Sequence, residues 1–248
     1  SEVTKFDNKS KELGNWYVGQ KQGEIWGYET YGLFQSEQEI AGAANQDKVS
    51  GGIKLMPGDI RFVDRNNDGV IDWGDNTVDN PGDMKIIGNS TPRYHYGINL
   101  GADWKGFDLG IFFQGVGKRD LYLPGTSFRS HYGSEWQVPS AYNNDYWTEE
   151  NTGAYFPRAR FNGGSAINQA QTRYLVDASY CRLKSLSIGY TLPKVLTKKA
   201  SIEKIRIYFT GENLFTISDT PDGLDPELDN PYKYPMQRSL SVGLNLTF

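Results

Sequence analysis

From Tyr94 to Trp104 every second residue is apolar or aromatic. Tyr94, Tyr96, Ile98, Leu100, Ala102 and Trp104 share one parity; His95, Gly97, Asn99, Gly101 and Asp103 share the other. Successive side chains of a strand point to opposite faces, so this pattern predicts a strand of about eleven residues with one apolar and one polar face. The pattern returns at Phe107, Leu109, Ile111 and Phe113, with Phe112 intruding on the polar parity. It returns again at Leu186, Ile188, Tyr190 and Leu192, and at Ile205, Ile207 and Phe209. Its cleanest form is Leu240, Val242, Leu244, Leu246 and Phe248, set against Ser239, Ser241, Gly243, Asn245 and Thr247. Upstream of Ser185 the reading is one strand continuing from Tyr174 beyond any membrane, with Arg182 and Lys184 on the face that later turns apolar.

Strands of roughly ten residues exceed the five or six usual in soluble sheets and match the length that crosses a bilayer at a tilt. The connectors alternate in length. Those at 105–106 and 193–203 are short, and those at 117–172 and 218–237 are long. Outer-membrane barrels have this asymmetry, with short periplasmic turns and long outer loops. A soluble β-sandwich also alternates, and strand length is what tells against it. No apolar run is long enough for a membrane helix, which leaves a barrel open, because its strands read as hydrophilic on average.

The rest of the composition removes function classes. Lys and Arg total 26 against 30 Asp and Glu, a formal net charge of −4, which is the wrong balance for a nucleic-acid binder. A single cysteine, Cys181, makes no internal disulfide and no cysteine-based zinc site, and reads as a small strand residue. The two histidines are His95, on a strand's polar parity, and His131, in a long loop. Glu149 and Glu150 are adjacent, which says nothing of the separation that glycoside hydrolysis needs. The chain is expected to be no enzyme. It opens at Ser1 without a signal-like stretch, so a mature product or a fragment of something longer is expected.

One segment carries a chemical pattern. Asp64, Asn66, Asp68, Val70, Asp72 and Asp75 stand at the spacings by which one tight loop wraps a calcium ion, with Gly69 at the sharp turn and Val70 offering its carbonyl. Asp75 takes the place of the usual bidentate Glu. A structural Ca²⁺ is the expectation, against an Asx-rich turn network without metal. In the 117–172 stretch, Trp136, Tyr146, Trp147, Tyr155 and Phe156, with Arg158 and Arg160, are candidates to touch a substrate or a lid protein. Packing within a collapsed loop is the competing reading.

Beyond these readings, the residues resemble a family. Pro57–Asp64 followed by Asn66–Asp72 is similar to a signature loop of SusC/RagA-type TonB-dependent outer-membrane transporters. Ile87–Tyr94 with Tyr96-Gly97, Phe107–Leu109 with Phe113–Gly115, Tyr180 with Arg182–Lys184 and Ile188–Pro193, Gly211–Phe215, and the terminal Phe248 resemble the segments that follow, in the same order. The resemblance implies an all-β fold: the C-terminal strands of a large antiparallel transmembrane β-barrel with long extracellular loops. It implies residues 1–93 as an extracellular loop region and 94–248 as barrel strands. It also implies that the remaining barrel and plug polypeptide, and the segment that contacts TonB, lie elsewhere. The function it implies is import of bulky nutrients, glycans or peptides, across the outer membrane. A SusD-like surface lipoprotein would be the lid, outer-membrane lipid the surroundings, and Phe248 an assembly signal. The alternatives are a secreted, Ca²⁺-stabilised carbohydrate-binding β-domain and a passive porin.

Overall fold

The computed structural model describes residues 1–122, 145–160, 164–198, 201–221, 224–228 and 234–248. Trp136 and His131 lie outside them. The chain forms two compact units. One is Ser1–Thr91 with Asp120–Val176, and the other is Pro92–Arg119 with Asp177–Phe248. This differs from a single cut at residue 93, because the stretch after Asp120 packs with the N-terminal residues.

The first unit is built from short pairs. β1 (Glu24–Tyr28), β2 (Thr30–Leu33), α1 (Glu37–Ala41), α2 (Asp47–Ser50), β3 (Ile60–Phe62) and β4 (Met84–Asn89) come first in the chain. β1 pairs with β4, and β2 with β3, both antiparallel. Ser36 caps α1 by accepting from the Glu39 N–H at 3.2 Å. Tyr28, Phe34, Val49, Ile60, Phe62, Ile71, Trp147, Phe156 and Tyr174 form the buried core.

The second unit is one antiparallel sheet. Its strands are β5 (Tyr94–Trp104), β6 (Phe107–Gly117), β9 (Tyr180–Thr191), β10 (Lys204–Ser218) and β11 (Ser239–Thr247). The turn α3 (Lys194–Thr197) joins β9 to β10, and the short pair β7 (Asp120–Tyr122) and β8 (Leu175–Asp177) belongs mostly to the first unit, with 3₁₀ turns at Ala166–Asn168 and Thr172–Tyr174. The sheet order is β11-β10-β9-β6-β5. Lys105 (φ 47°) and Gly106 (φ 91°) make the two-residue hairpin between β5 and β6. A turn with both central φ positive matches the right-handed twist of the strands.

Register makes the apolar parities coincide. Leu100 lies opposite Ile111, Ile111 opposite Leu186, Leu186 opposite Gly211, and Gly211 opposite Leu240. One row toward the short-connector end, Ala102, Leu109, Ile188, Phe209 and Val242 align in the same way. One face of five strands is therefore apolar without interruption, and most of its large side chains are exposed.

The strand predicted upstream of Ser185 needs correction. Ser185 pairs with Phe112 and Leu183 with Phe113, so Lys184 is an extra residue in β9. A β-bulge of one residue inverts the parity of everything beyond it. Arg182 therefore lies opposite Gln114 and Thr216, on the polar face and not on the apolar one. The strand also starts at Tyr180, not Tyr174, which sits in a 3₁₀ turn. β10 answers with its own irregularity at Asn213 (φ 51°) and Leu214, which keeps Phe215 over Phe113 with ring centroids 6.4 Å apart.

Candidate functional site

Three arrangements carry the chemistry. The first is the wall formed by the second unit. On the apolar face Tyr96 lies across Gly115, and its hydroxyl donates to the Tyr180 carbonyl at 3.0 Å. A Cβ on Gly115 would stand 2.3 Å from the Tyr96 ring. At the short-connector end the Phe107 and Tyr190 rings meet at a tilt with centroids 4.5 Å apart, and the Lys105 ammonium sits 4.9 Å from the Trp104 ring centroid. Such a belt of aromatics with a snorkelling cation suits the edge of a bilayer. Phe248 follows β11 and is exposed. On the polar face Arg206 grips Asp108, with Nε to Oδ1 at 2.9 Å, while His95 lies opposite Val116. Cys181 sits in β9 opposite Gly115 and Ile217.

The loop after β10 is tied to this wall by ions. Arg182 bonds Asp225 at 2.6 Å, meets Glu227 at 3.2 Å and donates from Nε to Thr216 at 2.8 Å. Lys184, the bulge residue, reaches Glu227 at 3.2 Å. Burial works to raise the Asp225 pKa. Arg182 and the N–H groups of Met236 and Glu227 outweigh it and hold the carboxyl below its usual range. Sequence reading missed this network. Its signal was the pair of cations, Arg182 and Lys184, on an otherwise apolar parity.

The second arrangement is the Asp/Asn loop of the first unit. Asp64 Oδ2 accepts from the Gly69 N–H at 2.9 Å, and Asp68 Oδ1 from the Val70 N–H at 2.8 Å. Asn66 Nδ2 donates to Asp68 Oδ2 at 2.8 Å. The other two carboxylates are drawn elsewhere. Asp72 bonds the Lys48 ammonium at 2.6 Å, and Asp75 accepts from Asn80 at 2.9 Å. Lys48, with help from the Gly74 N–H, holds the Asp72 carboxyl below its usual range. Among the described residues, no three acidic, His or Cys side chains converge as a ready metal cluster. One oxygen stands apart: Asp64 Oδ1 is sealed from solvent without a hydrogen-bond partner.

The third arrangement is the aromatic stretch at 145–160. Trp147 is 3% exposed and Phe156 also 3%, so both pack inward. The Trp147 Nε1 donates to Gln35 at 3.2 Å, and Arg158 stacks over its ring at 5.0 Å. Arg160 bonds the buried Asp59 at 2.8 Å. Tyr155 meets Phe156 and Tyr174 edge-on, at 4.9 and 5.4 Å. Tyr146 bridges to Phe156 and remains partly exposed. Trp147 and Phe156 therefore belong to the first unit's core and Arg160 to one of its ion pairs, whereas Tyr146 keeps an exposed face.

Comparison with known proteins gives a consistent picture. TonB-dependent receptor P3 of Formosa agariphila is 32% identical over 93% of this chain, and TonB-dependent receptor P26 of the same organism is 27% identical over 93%. The chain spans 22% and 23% of their respective lengths, under a quarter of either. A solved structure of the RagAB peptide transporter matches 94% of the chain at a TM-score of 0.65 and 23% identity, with 24% of that chain covered. A RagAB peptide importer in an open-open state matches at a TM-score of 0.62. No family model matches the chain.

Proposed function

We propose that this chain, a relative of the TonB-dependent receptors and one that shares the RagAB fold, builds part of the barrel wall of an outer-membrane nutrient transporter. The observation that carries this reading is the exposed apolar face running in register through five strands. In water such a face is an aggregation hazard, and in a bilayer it is the surface that belongs there. β5 and β11 each keep one unpaired edge within the described sheet. Backbone groups left unpaired in lipid are costly, so the working protein has further strands beside both. In this reading the polar face, with Asp108, Arg206 and Arg182, lines the lumen. The plug and the TonB-contacting segment belong to the remaining polypeptide.

The cargo is a bulky nutrient, glycan or peptide, and a SusD-like lipoprotein closes the outer mouth. The protein is a carrier and not an enzyme. The test is uptake by cells carrying the complete transporter. Labelled oligosaccharides and oligopeptides should enter with the transporter and TonB both present. Uptake that persists without TonB would mean a passive porin, and a chain found in the soluble fraction would mean a secreted domain.

The calcium reading narrows to part of the loop. Asp64, Asn66, Asp68 and the Val70 carbonyl are the donors we assign to Ca²⁺, supported by the partnerless Asp64 Oδ1. Hard oxygen donors without His or Cys suit calcium and not zinc. Asp72 and Asp75 join only by giving up Lys48 and Asn80. The ion's role would be to order the loop.

A further inference from the structure

The first unit holds a small cavity of about 310 Å³ whose walls include Tyr31, Gly32, Gln35, Glu39, Arg61 and Arg173. Its two arginines differ from the others that this fold commits to carboxylates. Arg160, Arg182 and Arg206 each bond an acid. Among the described residues, no carboxylate lies within ion-pair distance of Arg61 or Arg173. Arg61 instead has its guanidinium 5.2 Å from the Tyr31 ring centroid and 5.8 Å from that of Phe34. Phe34 is fully buried, whereas Tyr31 is 70% exposed. The cation is thus held over a ring that solvent reaches.

Arg173 is fixed differently. Its Nε donates to the Tyr155 carbonyl at 2.8 Å and its Nη2 to the Ala154 carbonyl. These bonds orient the fork and leave Nη1. A Cβ on Gly32 would stand 3.9 Å from that nitrogen, and Gly32 has φ 120°, a conformation that side-chain-bearing residues rarely adopt. The position therefore stays bare beside the guanidinium. Glu39 supplies the opposite chemistry. One of its oxygens accepts from the Gln35 N–H at 2.8 Å, which anchors a carboxylate in the cavity wall.

We propose that this cavity binds an anionic saccharide unit, one carrying a carboxylate or a sulfate. The two guanidinium groups supply fork-shaped donors for the anion. Glu39 accepts from sugar hydroxyls, and the exposed Tyr31 ring offers a flat apolar face for the sugar ring. An acidic peptide fits less well. It brings no rigid ring to lie on the exposed Tyr31 face, and it presents its anions on flexible side chains that must be ordered on binding. The proposal deepens the transporter reading, and rests on it for what happens to the saccharide after capture.

Binding is measured by calorimetry on the intact transporter that carries this chain, purified in detergent. The probes are a short oligogalacturonate, a sulfated oligogalactose, a neutral oligogalactose of equal length and an oligoglutamate. At least one anionic sugar should bind at least tenfold tighter than the neutral one and than oligoglutamate, and added salt should weaken it. R61Q should lower that affinity at least tenfold. Should R61Q disturb packing on Phe34, Y31A gives the same test from an exposed side chain and should weaken the sugar several-fold. Equal binding of the neutral sugar, tighter binding of oligoglutamate, no binding of either anionic sugar, or unchanged affinity in R61Q and Y31A would each overturn the proposal. Because no uptake is measured, failure here leaves the transport reading to its own TonB-dependent test.

Discussion

Arg182 and Asp225 meet at 2.6 Å with side chains only 4% and 3% exposed, so a strand residue and a loop residue share one nearly sealed ion pair. Removing one partner of a buried pair costs about 3–5 kcal/mol when the other charge is left alone, and Arg182 would keep only Glu227, at 3.2 Å, so the loss should fall toward the lower end of that range. Asp225→Ala should therefore release the loop after β10 from the sheet. Limited proteolysis of the variant in detergent should cut between Ser218 and Ser239 well before it cuts the parent. Equal protection in the two proteins would show that the pair does not hold the loop.

Acid should act on the same contact. The Asp225 carboxyl is held below its usual range in the folded state. A depressed folded pKa stabilises fully above the unfolded value. That contribution fades as pH falls below the unfolded value and is gone under the folded one. Hydrogen-exchange protection factors in the loop, taken relative to the intrinsic rate at each pH, should thus be unchanged from about pH 7 to about pH 5 and fall only below about pH 4, near the ordinary carboxylate value. A loss of protection already complete at about pH 5 would point to a different titrating group.

The apolar face should tolerate charge poorly. Leu244 is 57% exposed and lies opposite Ile207 at the middle of β11. An Arg on the lipid side of a barrel costs about 2–4 kcal/mol at the bilayer midplane. Leu244→Arg should show that loss in lipid-vesicle unfolding. Ser241→Arg, on the polar face opposite Thr210, should cost much less. Asn245 is a poorer control, because it faces Arg206 and a new cation there would add repulsion.

Two tyrosines lie over glycines, and substitutions read this directly. A Cβ on Gly243 would come within 2.2 Å of the Tyr208 ring, whereas at Gly101 the nearest atom is a Leu109 carbonyl oxygen at 3.8 Å. Overpacking usually costs about 1–3 kcal/mol. Gly243→Ala should lower the barrel's unfolding midpoint in denaturant, and Gly101→Ala should leave it nearly unchanged. Similar losses at both positions would argue against the Tyr208 contact.

How much of this was legible depends on the range of the pattern. β5 and β11 could be read because strict alternation over nine to eleven residues has few other solutions. The bulge at Lys184 could not be placed, since parity counting assumes an unbroken pleat, yet Arg182 and Lys184 on an apolar parity were its trace. The pairing of β1 with β4 joins short segments far apart in the chain, where no period forms. The candidate sites divide the same way. The Asp64–Gly69 and Asp68–Val70 bonds are local and follow from Asx chemistry, whereas Lys48 on Asp72 and Arg173 beside Gly32 are products of the tertiary fold. Composition left Trp147 open to two readings, ligand contact or loop packing, and only the tertiary fold shows its burial in the first unit's core.

Lys48 gives the calcium reading its sharpest test. Its ammonium holds Asp72, the next acidic position of the proposed calcium loop, at 2.6 Å. A cation already on the carboxylate competes with a second one. Lys48→Gln should therefore free Asp72 and tighten Ca²⁺ binding several-fold, because affinity in such loops rises with the number of charged ligands. Asp64→Ala should do the opposite and abolish binding, since it removes the buried Oδ1 that lacks a protein partner. Calorimetry with CaCl₂ on the intact transporter, after removal of divalent ions by chelator, measures both. Protease protection of the 60–80 region with and without calcium supplies an independent readout. If the parent binds no Ca²⁺ at millimolar concentration and Lys48→Gln is equally silent, the segment is a turn network held by its own Asx hydrogen bonds, with Lys48 as its resident cation.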